Sequence, residues 1–232
     1  MPGTLALIGG GEWSDGCTFD EALLAASGGA EVAVIPAGAA YEHPERALAR
    51  AALWFEGLGA VVREIPVRTR PEALDPANAA RVRDARFTYL CGESPMHLRS
   101  VLMHSPVWEA LVDAWLGGAV LAGTAAGAMV LCDPMVDPRG GALTLGLGLL
   151  PGTAVMPHYD TWSDDKARRT EQIAPAGTRL VGIAERTALI WSPEGGWSSE
   201  GVGDVQVHLD GRAGELGDLV PPRAERQPAT TP

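Results

Sequence analysis

The feature that most restricts what this chain can fold into is a short apolar run that keeps returning, closed each time by glycine or proline. Thr4-Leu5-Ala6-Leu7-Ile8 ends in Gly9-Gly10-Gly11. Residues 31–35 end at Pro36, 60–65 at Pro66, 86–90 at Cys91-Gly92, and 118–122 at Gly123. Each run is strand-length and apolar. Helical patterns lie between them, over residues 20–26, 43–58, 78–84, 96–103 and 107–116, the last stopping at Gly117-Gly118. Strands alternating with helices predict βαβ crossovers, and strands without polar alternation predict a parallel sheet covered on both faces. The expected class is α/β, a doubly wound and mostly parallel sheet.

From residue 143 the rhythm changes. A glycine-rich apolar stretch leads to a polar helical segment over 161–173, then to short runs at 180–183, 187–191 and 204–209. Pro193-Glu194-Gly195-Gly196 predicts a hairpin turn. These runs read as an antiparallel C-terminal extension of the same sheet. The expected organisation is a single domain over 1–218 and a disordered, proline-rich tail over 219–232.

Composition narrows the function. The chain has 18 Lys and Arg against 29 Asp and Glu, a formal net charge of −11. That balance opposes binding to nucleic acid or to anionic membranes. No stretch approaches the roughly 20 apolar residues of a membrane span. The opening MPGTLALIGGGEW lacks the basic start of a signal peptide. Cys17, Cys91 and Cys132 are widely spaced and form no Cys-x-x-Cys pair, which suits reduced thiols in a cytoplasm. No metal-ligand spacing, dinucleotide fingerprint or phosphate loop occurs, so neither a metal nor a cofactor is expected.

In an open parallel sheet, ligands sit beyond the carboxyl ends of the strands. Four strand ends carry small residues there: Gly9-Gly10-Gly11-Glu12, Pro36-Ala37-Gly38, Cys91-Gly92-Glu93 and Gly123-Thr124-Ala125-Ala126-Gly127. The last has the Gly-x-Nuc-x-Gly spacing of a nucleophile elbow. Its middle residue, Ala125, has nothing to attack with. His158 follows a strand-like segment in Val155-Met156-Pro157-His158-Tyr159-Asp160, and Glu185 stands in Gly182-Ile183-Ala184-Glu185-Arg186. Elbow, histidine, acid is one chain order that a nucleophile–base–acid triad takes.

Taken in order, GGGEW, LCGESPMHLRSVL, GTAAGAM, PHYD and GIAERTAL are similar to the signature segments of peptidase family S51. The similarity covers residues 5 to about 209. The family includes cyanophycinase and the α-aspartyl dipeptidases. The resemblance implies a flavodoxin-like, class I glutamine amidotransferase-like fold and a serine hydrolase with a Ser-His-Glu or Ser-His-Asp triad. It implies small peptide substrates of aspartyl character. Carried over residue by residue, it puts Ala125 at the nucleophile position, with His158 as base and Glu185 as its orienting acid. The backbone of Gly92, Glu93 and Ala126 falls at the oxyanion hole. Ala184 and Cys91 depart from the family pattern. Gly11, Glu12 and Arg99 are candidates for substrate binding, with Arg186 more readily a surface residue.

Loss of a triad serine lowers turnover by roughly a millionfold. The chain is therefore expected to be catalytically inactive or crippled. Three alternatives stay open: an active enzyme captured as a Ser-to-Ala variant, a non-catalytic peptide-binding or scaffold protein, and a replacement nucleophile at Cys91, Ser94 or Thr124. The sequence is compatible with a homodimer and does not decide it.

Overall fold

Side chains of each central strand point alternately to two separate apolar cores. Leu5 and Leu7 of β1 (Leu5–Ile8) enter one, and Ala6 and Ile8 enter the other. Ala33 and Ile35 of β2 (Glu31–Gly38) divide from Val32 and Val34 in the same way. This requires apolar residues on both faces, which is why the sequence reads as continuous runs. The computed structural model describes residues 1–139 and 142–223.

Five parallel strands form the centre: β1, β2, β3 (Val61–Glu64), β4 (Phe87–Gly92) and β5 (Val120–Thr124). Helices α1 (Phe19–Ser27) and α2 (Pro44–Gly57) bury Phe19, Leu23, Ala51 and Phe55 against one face. On the other face α3 (Arg70–Leu74) and α4 (Pro76–Arg83) contribute Ala73, Ala79 and Val82. They are joined there by α5 (Pro95–Leu102), α6 (Pro106–Leu116) and α7 (Ala126–Leu131), which add Leu98, Leu102, Leu111, Trp115 and Met129. The mostly parallel α/β class is thus what the chain adopts.

The C-terminal half departs from the expected single extension. Only β12 (Thr187–Ser192) and β13 (Gly196–Gly201) join the first sheet, giving the order β13-β12-β1-β5-β4-β2-β3. Their hairpin closes at Ser192 and Gly196, as the Pro-Glu-Gly-Gly turn predicts. A second, six-stranded sheet has the order β15-β14-β11-β10-β6-β9. Its strands are β6 (Cys132–Asp133), β9 (Leu150–Pro151), β10 (Thr153–Met156), β11 (Arg179–Ile183), β14 (Val205–Leu209) and β15 (Arg212–Gly214). The short β7 (Met135–Val136) and β8 (Leu143–Thr144) pair with each other. Helix α8 (Asp164–Ile173) starts at Ser163, whose hydroxyl accepts the Lys166 N–H. The split into two sheets is set by partners far apart in sequence: β10 lies parallel to β11, which lies antiparallel to β14. Local patterning carries no such information.

Part of the expected tail is docked. Leu219 is buried, Trp197 Nε1–H donates to the Val220 carbonyl at 3.1 Å, and Arg223 N–H donates to the Leu149 carbonyl at 2.9 Å. The rest of that tail, 224–232, lies outside the described residues. Among the described residues no helix is long and apolar enough to cross a membrane.

Candidate active site

Ala125 joins β5 to α7 with φ 47° and ψ −107°, outside the wells open to an L-residue. Such a conformation costs on the order of 1–3 kcal/mol and persists only where its surroundings impose it. Here the Ala125 N–H donates to the Ile8 carbonyl at 2.9 Å, and its own carbonyl accepts from Met129 N–H at 3.1 Å. The flanking glycines are steric necessities. A Cβ on Gly123 would lie 2.5 Å from the Gly127 carbonyl carbon, and one on Gly127 would lie 2.3 Å from the Leu90 oxygen. The elbow therefore has the strained turn that its glycine spacing predicts, with a methyl group at its tip.

His158 and Glu185 come from the second sheet. β10 and β11 run parallel, with Met156 beside Gly182, so the loops after both emerge at the same edge. His158 adopts a left-handed conformation, and its N–H donates to the Gly9 carbonyl at 2.7 Å. Its ring lies against Gly10, where a Cβ would come within 2.1 Å of the imidazole Cε1. Nδ1 is 2.9 Å from Glu185 Oε1. The acid is itself placed by the backbone. Its N–H donates to Asp160 Oδ1 at 2.9 Å, and the next N–H, of Arg186, donates to the Gly10 carbonyl at 2.7 Å. Gly11, at φ 62°, packs closely here, since a Cβ on it would be 3.1 Å from Arg186 Cγ and 3.3 Å from Glu185 Cβ.

The third component is the loop after β4. Gly92 has φ 118° and packs so closely that a Cβ would be 2.0 Å from the Gly38 carbonyl carbon. The Glu93 side chain is 55% exposed, and its Oε2 lies 3.3 Å from His158 Nε2. β5 lies between β1 and β4 in the sheet. A contact from a ring seated on the β1 loop to a carboxylate on the β4 loop therefore spans the end of β5, where Ala125 stands. Gly92, closing β4, and Ala126, opening α7, flank that tip. Glu93 first, and then Glu185, hold the His158 pKa up at about 9 against burial, which acts in the opposite direction.

Other sequence candidates fall elsewhere. Glu12 is only 9% exposed, and its carboxylate accepts from Thr124 Oγ1–H and Arg50 Nη2–H, each at 3.0 Å. It braces the elbow from below, which leaves it poorly placed to meet substrate. The same bond commits the fully buried Thr124 hydroxyl. Cys91 is fully buried, and burial pushes its thiol far up, so it supplies no ready thiolate. Ser94 opens α5, with its N–H on the Gly38 carbonyl. Among the described residues no hydrogen bond or ion pair links Arg99 to the His158 cluster, and its Nε is buried without a partner. A cavity of about 430 Å³ adjoins the acid, lined by Asp160, Trp162, Asp164, Glu185, Arg186 and Asp204 among others. Sequence reasoning placed the Glu93 backbone at this site and missed its side chain. It also missed Gly10 as the seat of the imidazole and Asp160 as the anchor of Glu185. The juxtaposition of charged residues with glycines at strand ends was the only available signal.

Comparison with known proteins identifies the family. The profile of Peptidase family S51 matches residues 5–195. The cyanophycinases of Synechococcus elongatus and of Thermosynechococcus vestitus (strain NIES-2133 / IAM M-273 / BP-1) are each 28% identical over 167 residues. Those matches take in 66% of this chain and 51% of each relative, so the chain spans about half the length of the curated relatives it matches. A crystal structure of a peptidase from an acI-B1 actinobacterium superimposes with TM-score 0.79 at 29% identity, covering 91% of this chain and 92% of that one. A peptidase E-type protein of Listeria monocytogenes EGD-e shares the fold, with TM-score 0.62 at 15% identity over 88% of this chain and 100% of its own. Matched over most of its length, this chain belongs to peptidase family S51.

Proposed function

We propose that this chain keeps the ligand-holding cleft of an S51 peptidase for aspartyl peptides and lacks the acyl-transfer step. The observation that carries this reading is Ala125 itself. The backbone holds it in the strained elbow conformation at the end of β5, on the sheet edge reached by the His158–Glu185 pair, yet the tip carries no oxygen to attack a carbonyl. Two of the three candidate replacement nucleophiles, Cys91 and Thr124, are committed elsewhere, which supports this reading. The acidic lining of the adjoining cavity favours a peptide that carries a basic group beside its aspartyl unit, such as β-aspartyl-arginine. Three unpaired, buried thiols suit a reducing cytoplasm.

The test uses the full chain and Ala125→Ser, assayed between pH 7 and 10 on Asp-X dipeptides and β-aspartyl-arginine. The unaltered protein should show no turnover, yet melt at a higher temperature with these peptides, because a ligand that binds only the native state stabilises it by mass action. Ala125→Ser should acquire measurable hydrolysis. A correctly folded Ala125→Ser protein with neither hydrolysis nor a ligand-dependent melting shift refutes the reading.

A second reading, a scaffold that binds no peptide, is favoured by the exposure of Tyr41 and Met96, at 81% and 45%, on the loop after β2 and on α5. It predicts no melting shift with any of these peptides.

A further inference from the structure

His158 has a carboxylate on each ring nitrogen. Glu185 Oε1 lies 2.9 Å from Nδ1 and Glu93 Oε2 lies 3.3 Å from Nε2. An ionised carboxylate only accepts hydrogen bonds, so satisfying both requires a proton on both nitrogens, which is the imidazolium. A general base in a serine triad needs the opposite, an Nε2 lone pair turned toward the nucleophile.

From this geometry we propose that Glu93 sets the proton state of His158, pairing with the nitrogen that would receive the nucleophile's proton and keeping the ring charged. Glu93 is thus a second block on the acyl-transfer step, independent of the missing alcohol at 125. This inference rests on the S51 reading for its meaning in catalysis, though not for the ion pair itself.

The charged groups around the ring support this. Glu93 comes from the loop after β4 and Glu185 from the loop after β11, both on ring nitrogens. Asp160, on His158's own loop, spends Oδ1 on the Glu185 N–H and adds a third negative charge nearby. The β1 loop offers Gly10 to the ring, and Glu12 farther along it is paired with Arg50. Arg186 packs its stem against Gly11, and no ion pair links it to Glu93 or Glu185 among the described residues. The surroundings therefore favour a cationic ring. Held up at about 9, the ring is predominantly cationic at pH 7.

The deciding measurement is the His158 imidazole titration by ¹H–¹⁵N NMR in the full chain, in the unaltered protein and in Glu93→Gln. The amide keeps the shape and removes the charge. The His158 midpoint should fall by about one pH unit or more, which is a tenfold or greater rise in the neutral fraction at pH 7. At pH 7 the neutral ring of the variant should carry its proton on Nδ1, facing Glu185. Glu93 is exposed, so the variant should fold; Glu93→Ala provides a second reading of the same shift.

The catalytic arm compares Ala125→Ser with Ala125→Ser/Glu93→Gln. The double variant should hydrolyse aspartyl peptides about tenfold faster at pH 7, with the advantage vanishing above pH 9. A His158 midpoint unmoved in both Glu93 variants overturns the role given to Glu93, whatever the activities. A midpoint that falls while both serine-restored proteins stay inactive upholds Glu93's control of the ring and refutes the hydrolase reading.

Discussion

Ala125 and His158 both sit at backbone angles that most side chains avoid, and each is held there by hydrogen bonds to the β1 end. For Ala125 this inverts the usual effect of a glycine. A buried Ala→Gly change normally destabilises by about 0.5–1 kcal/mol, but here it releases a conformation costing on the order of 1–3 kcal/mol. Ala125→Gly should therefore leave the chemical-denaturation midpoint unchanged or raised, and a loss of about 1 kcal/mol would show the turn to be unstrained. Gly10 is the complementary case, since any side chain there meets the imidazole. At this scale the sequence was informative about identity more than contact. Ala125 was legible from the glycine spacing of the elbow, whereas His158 and Glu185 were assigned by chain order and the family resemblance. The Glu93 carboxylate on Nε2 was not, because its direction depends on how the β4 loop folds against Gly38. The Glu12 contacts with Thr124 and Arg50 were hidden for the related reason that a polar residue beside glycines looks the same whether it faces a ligand or a neighbouring hydroxyl.

The element that matters most is the strand–turn–helix of β5 and α7. It works because two glycines let backbone pass backbone at distances no Cβ tolerates. Gly127→Ala should destabilise the protein by about 2 kcal/mol or more, since the obstacle is the Leu90 carbonyl within β4 and not a flexible side chain. A thermal melt within a degree of the parent would show that the helix start can shift. Elements of the first half were readable because a parallel strand announces itself: apolar throughout, then a glycine or proline. β2 nevertheless runs through Pro36 to Gly38, beyond the stop expected at 35. The second half was less readable. Residues 180–183 and 187–191 look alike as strings, yet β11 and β12 belong to different sheets, a choice made by tertiary packing.

Below about pH 9, Asp20 and His158 are the two described groups whose raised pKa makes stability fall as pH rises. Asp20 is fully buried on α1, and burial lifts its pKa to about 7, although Trp54 Nε1–H and Tyr89 O–H donate to it. A carboxyl raised from about 3.8 binds its proton more tightly when folded, so its ionisation weakens the fold progressively between about pH 4 and 7. His158, raised from 6.5 to about 9, gives stability that is fully present below pH 6.5 and lost as pH passes 9. The half-exposed Glu93 partner is screened by water, which limits the second step to about 1–2 kcal/mol. Urea midpoints measured from pH 4 to 9 should decline in these two stages. Asp20→Asn should flatten the first and leave the second, and an unchanged first stage would place the titration elsewhere.

The two sheets divide the labour of the site in a way that bears on how such a chain changes over generations. The imidazole and its acid are fastened through main-chain bonds to Gly9 and Gly10, and none of those bonds involves the side chain at 125. Adding an oxygen to that side chain therefore breaks none of the bonds that hold the pair. Alanine and serine codons stand a single base apart. A chain with this architecture can gain or lose an alcohol at that one position while Gly123 and Gly127 keep the turn open.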